Sequence, residues 1–296
     1  MNRFLSSIGF NNIEDQEQVE ALLRKMVTDT SDRQFIRKKT GTVSVEYRTM
    51  VSEHTGICVC GEEDQNEKFH VTHYFPFCTN DNSRYEEFVL FNKKTSQNEY
   101  AGMCDDKALG ATIIFYVTNV ADYKYKYKES NDVDDVSVEF SGLSTKGNVI
   151  LPVAMRSVRP ETILKKLGKK IKEEEKNEDD EKDIISLSME DLDKMAMINR
   201  RIQKEDILSI VESSLIPHGT ETDMYLLVGE IRRVSEEKNR YTGEEMYILL
   251  VSLNSILINI AINKKDLYGE PAVGRRFRGS IWLQGKVVDR QIASFT

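Results

Sequence analysis

The sequence predicts an α+β protein with more than one folded region, and three observations predict it. Helical periodicity appears near the start and again after residue 158, while alternating residues of strand type fill most of the remainder. At 296 residues the chain is long for a single ordinary core. A charged run, 169–183, holds 5 basic and 8 acidic side chains and no apolar one after Ile171, so it cannot offset the entropy of ordering by burial. The expected division is a mixed α+β domain with a mainly antiparallel sheet over 1–158, a short helix and charged linker over 159–187, a helical segment over 188–222, and a small OB-like β-barrel over 223–296.

Taken in order, Val19, Leu22, Leu23, Met26 and Val27 fall at the spacing of one buried helical stripe, with Glu14, Asp15, Glu17 and Glu20 complementing the positive end of the helix dipole. Val43, Val45 and Tyr47, then Ile57 and Val59, then Phe69, Val71, His73 and Phe75 alternate with their neighbours and read as three strands. A strand is expected at 87–92. The stretch 111–120, apolar on both parities, reads as a central strand covered on both faces. Two further strands, 136–140 and 148–153, are expected to flank SGLSTKG as a turn. The DYKYKYK segment at 122–128 reads as a solvated strand end. After Pro160, Ile163, Leu164, Leu167 and Ile171 make a short amphipathic helix, and Ser188 opens two more with a capping-box variant.

The last region carries the densest β pattern. A strand over 225–234 is interrupted by Gly229, another returns over 246–253, and Ile256, Ile258, Ile260 and Ile262 give the cleanest alternation in the chain. An irregular KKDLYGEPAVG follows, then two closing strands around Gly285. Five strands, a curved first strand and a long connection between the third and fourth point to an OB-type barrel; a small SH3-like barrel, or a sheet packed on the helices of 188–213, would give nearly the same pattern.

Composition narrows the function classes. The longest apolar run is far short of the roughly 20 residues of a membrane-spanning helix, and the first residues do not have the three regions of a secretory signal. A cytoplasmic protein is expected. Four cysteines, Cys58, Cys60, Cys78 and Cys104, do not make a disulfide framework, and their spacing beside His54, His70 and His73 lacks the paired gaps of zinc sites; no metal or cofactor is expected. The net charge is −8, which argues against bulk nucleic-acid binding. It is uneven, since residues 225–296 hold 11 Lys and Arg against 8 Asp and Glu, leaving 30 against 41 before them.

Two candidate sites follow. On the strand after Gly274, parity puts Arg276, Arg278 and Trp282 on one face, the combination that stacking and phosphate pairing require; the competing account is a covered seam in which Trp282 packs with the arginine stems. In the first domain Tyr74, Cys104, Asp105 and Asp106 offer an alternative pocket with acid, thiol and phenol groups. No Walker loop, GxGxxG, HExxH or GxSxG occurs.

The motifs FLSSIGF, YFPF at 74–77, YAGMCDD at 100–106, IFYVTNVADY, SGLSTKGNVILPV and INKKDLYGEPAVGRRFRGSIWLQG span both expected domains. On these the chain resembles a bacterial family of clostridia-like Firmicutes described as a domain of unknown function. The resemblance implies a bacterial cytoplasmic setting and carries no reaction, cofactor or catalytic residue. The reading as a whole is a non-enzymatic binding or scaffold protein with a macromolecular partner, protein or nucleic acid, no membrane, and room for a homo-oligomer; the alternative is an enzyme centred near Cys104, Asp105 and Asp106.

Overall fold

The architecture is known from a computed structural model that describes residues 2–13, 15–30, 32–37, 43–64, 68–80, 84–85, 89–93, 99–106, 111–127, 136–150, 213–254 and 256–289. Residues Met1–Leu151 and Glu212–Thr296 gather into one compact unit and Pro152–Val211 into a second. All described residues belong to the first unit. The charged linker and the expected helices lie outside them up to residue 212, while the described end of the expected helical segment 188–222 holds a strand, Ser214–Pro217, paired to the chain that follows it.

The expected balance of helix and strand is overturned: among the described residues strand accounts for 62% and helix for 15%, so the fold is mostly β. A 3-10 helix Arg3–Ile8 and helix α1 (Gln16–Asp29) open the chain. Four antiparallel strands follow, β1 (Asp32–Arg37), β2 (Val43–Met50), β3 (Thr55–Glu63) and β4 (Phe69–Cys78), in the sheet order β1-β2-β3-β4. The α1 stripe forms as its periodicity requires, with Val19, Leu23 and Met26 buried. Next come β5 (Val89–Lys93), β6 (Tyr100–Asp106), β7 (Ala111–Val117), α2 (Val120–Tyr127) and β8 (Val136–Ile150), and after the second unit β9 (Ser214–Pro217), β10 (Met224–Lys238), β11 (Glu245–Leu253), β12 (Ile256–Asn263), β13 (Leu267–Tyr268) and β14 (Arg276–Asp289). Among these residues no helix is long and apolar enough to cross a membrane.

The larger sheet corrects the expected C-terminal barrel. Its order is β13-β8-β12-β11-β10-β14-β7-β6-β5, with β8 also paired to β14, so β8, β12, β11, β10 and β14 close into a ring. The C-terminal strands do not close it alone, because β8 from the N-terminal half stands between β12 and β14. It pairs parallel to β12 from Asn259↔Ser141 to Ile262↔Ser144 and antiparallel to β14 from Arg276↔Ile150 to Asp289↔Val136. The same ladder explains two more differences from the expectation. SGLSTKG is not a turn but the middle of β8, and Gly285 does not separate two strands but lies within β14. Two long strands paired along their whole length satisfy more backbone groups than a local hairpin, and glycine permits the close approach: a Cβ on Gly147 would stand 2.4 Å from the Phe277 ring. DYKYKYK also differs, since its residues 122–127 belong to α2.

Ring strands are covered on both faces. Inside, Ile256, Ile258, Ile260 and Ile262 meet Phe277, Ile281, Leu283 and Val287 and the β11 residues Leu249, Val251 and Leu253. Outside, Met246, Ile248, Ala261, Leu143 and Trp282 meet Phe4, Leu5 and Ile8, the α1 stripe, and β3 and β4. Side-chain amides sew β4 to the ring. Gln284 donates to the Pro76 carbonyl at 2.9 Å and accepts from the Cys78 amide at 3.2 Å, while Asn259 donates to Thr79 O at 2.9 Å and Asn80 to Phe140 O at 2.7 Å.

Helix α2 is held by two β2 side chains. Arg48 donates to Thr118 O, and the Glu46 carboxyl accepts the Ala121 amide at 3.0 Å. The Glu46 stem is partly exposed, but its carboxyl is buried, and burial outweighs Arg48 and the Ala121 amide in raising its pKa from 4.5 to about 7. A raised carboxyl pKa means that the unfolded chain releases this proton first, so stability drains away as pH rises from about 4.5 to about 7 and the loss, roughly 3 kcal/mol, is complete above that range. Glu46→Gln, which keeps the acceptor for Ala121, is therefore expected to be more stable than the parent at pH 8 by up to about 3 kcal/mol and nearly equal to it at pH 4.5, as measured by urea denaturation.

Candidate functional site

The β14 alternation that sends Phe277, Ile281, Leu283 and Val287 into the ring turns Trp282 outward. It is largely covered there. The 3-10 helix lies over it, with the Phe4 ring stacked at 5.2 Å and 28°, and Tyr116 of β7 stands 5.0 Å away at 55°. The short parallel pairing Gln284↔Tyr116 is what brings β7 beside β14 at this level. The 3-10 helix is fixed at both ends. The Asn2 side chain accepts from the Phe4 amide at 3.0 Å, and Gly9 turns the chain with φ 87, a conformation glycine adopts without the steric cost of a Cβ. Ser7 donates to Ser144 O at 2.8 Å and Asn239 to Ile8 O at 2.7 Å.

Met224 of β10 pairs with Trp282, so the residue before it, Asp223, arrives beside the indole. Its Oδ2 accepts the Trp282 Nε1–H at 3.1 Å, and its backbone carbonyl accepts the Leu283 amide at 2.9 Å. Around this pair lies a cavity of about 370 Å³ lined by Asn2, Arg3, Phe4, Tyr74, Phe75, Glu99, Tyr116, Glu221, Asp223 and Trp282. Among the described residues of the lining, three carboxylates stand with one guanidinium, an excess of two negative charges. Arg3 lies 3.2 Å from Glu221 and 4.9 Å from the Phe4 ring centroid. Burial, ahead of the charges of Cys60 and Glu99, pushes the Tyr116 hydroxyl well above its usual range, so it remains protonated at neutral pH.

A second, larger concavity adjoins this one. It measures about 900 Å³ and lies between α1, through Val19, Glu20, Leu23, Arg24 and Val27, and β4, through Phe69 and residues 71–74. Asn2 and Tyr74 line both concavities, and the Asn2 amide donates to the Tyr74 hydroxyl at 3.1 Å across their common lip.

The structure thus unites one residue from each sequence-derived candidate, Trp282 and Tyr74, and separates the rest. Arg276 is buried at the start of β14 and Arg278 is exposed. Cys104 is buried in the ring-side core, whereas Tyr74 packs on the other core. Asp105 is exposed and accepts from Thr112 Oγ1 at 2.5 Å, and Asp106 is buried. Glu99, Glu221 and Asp223 have no local signature, and Asp223 becomes readable only when β10 is aligned against β14. The thiols of Cys58 and Cys60 lie 3.7 Å apart, both buried on β3. Among the described residues one grouping has metal-ligand spacing: Glu53, His54 and Glu237, with ligand atoms within 4.8 Å of one another. Glu237 there already accepts from the His54 amide at 3.0 Å and meets its Nδ1 at 2.5 Å, and none of the three lines the cavity.

The sequence matches, over residues 5–285, the model of a family described as "Domain of unknown function, E. rectale Gene description (DUF3881)", which bears out the resemblance read from its motifs. No curated protein and no solved structure matches it.

Because Trp282 is a packed side chain with a satisfied indole N–H and Arg278 is a surface one, Trp282→Ala is expected to cost about 3–5 kcal/mol and Arg278→Ala less than about 0.5 kcal/mol. Urea denaturation of the two variants checks the contrast.

Proposed function

The chain belongs to the DUF3881 family, and we propose that it is a non-enzymatic binding protein whose cavity beside Trp282 receives a positively charged organic group. The observation that carries this reading is the combination of Glu99, Glu221 and Asp223 with the aromatic rings of Phe4, Tyr74, Tyr116 and Trp282 around about 370 Å³. An ammonium or guanidinium group placed against ring faces gains from the ring quadrupole, more so where water is excluded, and carboxylates supply charge-assisted hydrogen bonds. The volume is at the small end of ligand cavities, which suits a side-chain-sized cation.

Binding rather than catalysis is favoured by the lining. Among the described residues it contains no Ser, Thr, Cys, His or Lys to serve as an activated nucleophile with its base, Asp223 is engaged with the indole N–H, and Glu221 pairs with Arg3. The same charges weigh against the nucleic-acid partner, since a phosphate beside Trp282 would meet an excess of two negative charges. A protein carrying exposed lysine or arginine fits the cavity better.

Calorimetric titration with butylammonium tests the reading. Saturable binding is expected, with 1-butanol of similar size showing none, and Glu99→Gln is expected to weaken the butylammonium affinity by about 3–10-fold. Equal binding of the alcohol and the ammonium ion would contradict it.

A further inference from the structure

The edge of β4 connects the cavity to the larger groove. Gln284 pairs with the Pro76 carbonyl and the Cys78 amide, which shows that these groups point away from β3. Strand alternation then turns the N–H and C=O of Tyr74 the same way. Gln284 covers the edge at 76–78. Over 69–74, β4 has a single strand neighbour among the described residues, β3. His73 and Tyr74 pair regularly with Cys60 and Val59, so their side chains point to opposite faces, yet both line the groove; the groove therefore runs past the edge of the strand. Natural edges are guarded by lysine, proline, inward charge or a bulge; residues 69–74, FHVTHY, hold neither lysine nor proline and carry one bulge. Thr72 is the extra residue of a bulge between the pairs Cys60↔His73 and Gly61↔Val71, and Val71 is 47% exposed.

The opposite wall has the character of a side-chain pocket. Val19, Leu23 and Val27 of α1 give it an apolar floor, and Arg24 is matched by Glu20 at 3.3 Å. Burial lowers the pKa of His73 below its usual value, so its ring is neutral at pH 7 and adds no positive charge. The groove opens onto the acidic cavity at Tyr74 and Asn2.

We infer that an extended segment of a partner protein adds as a strand along the outer edge of β4, its apolar side chains on the α1 wall and one lysine or arginine side chain in the cavity beside Trp282. The inference rests on the cavity's reading as a cation site. Backbone pairing supplies affinity in such strand addition and alternate side-chain pockets supply specificity, so the excess of negative charge in the cavity selects a basic residue at one position of the segment.

The test uses the full chain and three probes in calorimetry: butylammonium, the peptide acetyl-Thr-Val-Thr-Lys-Thr-Val-Thr-amide, and the same peptide N-methylated at alternate amides so that one edge cannot donate. The peptide is expected to bind at least ~10-fold more tightly than butylammonium, and N-methylation of the pairing edge is expected to return its affinity to that of butylammonium. Val71→Lys, at an exposed position that leaves the core untouched, is expected to weaken the peptide and leave butylammonium unchanged. A peptide that binds no better than butylammonium, or one that keeps its gain when either edge is methylated, overturns strand addition and leaves the cation reading standing. Failure of both butylammonium and the peptide to bind overturns both.

Discussion

The antiparallel ladder between β8 and β14 is the interaction on which the rest of the structure depends. It pairs Val136–Ile150 with Arg276–Asp289 along their full length, and through it a strand from the N-terminal half completes a ring whose other members come after residue 223. The inward side chains of both strands fill the core that β11 and β12 also face, so neither half can bury its apolar surface alone. Such pairing has a high loop-closure cost that must be met before the contacts form, and it sets slow folding against a stable product.

The ladder also fixes what lies outside the ring. By holding Trp282 opposite Leu143 and Met224, it offers a flat apolar face that the 3-10 helix, α1 and β4 cover. The cover is incomplete where these elements and β7 meet, and the gap is the cavity. Carboxylates reach it from two places in the chain, Glu99 from ahead of β6 and Glu221 and Asp223 from between β9 and β10, while Trp282 and Gln284 come from one strand. Gln284 matters twice: it ties Pro76 and Cys78 to β14, and in doing so it marks where the open edge of β4 begins.

Much of this was legible in the sequence, and the exceptions share a cause. The strands β2, β3, β4, β11 and β12 follow from local alternation, and α1 from its stripe, although β3 and β12 are buried on both faces rather than one. The β8 strand was hidden because SGLSTKG has the composition of a turn and becomes a strand only through pairing with β14. In DYKYKYK the period-2 alternation of tyrosine and lysine imitates a strand, while the structure places its residues 122–127 in α2, whose start is fixed by Glu46 and Arg48 from β2. The α+β expectation fails at β8, since the ring needs the strand that the sequence pattern broke in two. Parity grouped Trp282 with the arginines, but the partners that surround it, Phe4, Tyr116 and Asp223, come from distant segments that no local period connects.

The account's central claim is that the space beside Trp282 is a site for an organic cation. A crystal structure of the protein soaked with 4-bromobutylammonium, located by the anomalous signal of bromine, addresses it most directly. The account predicts one ion with its ammonium group among Glu99, Glu221 and Asp223 and its alkyl chain along the Tyr116 and Trp282 rings. Bromine at surface positions alone, with the cavity holding only water, would contradict it.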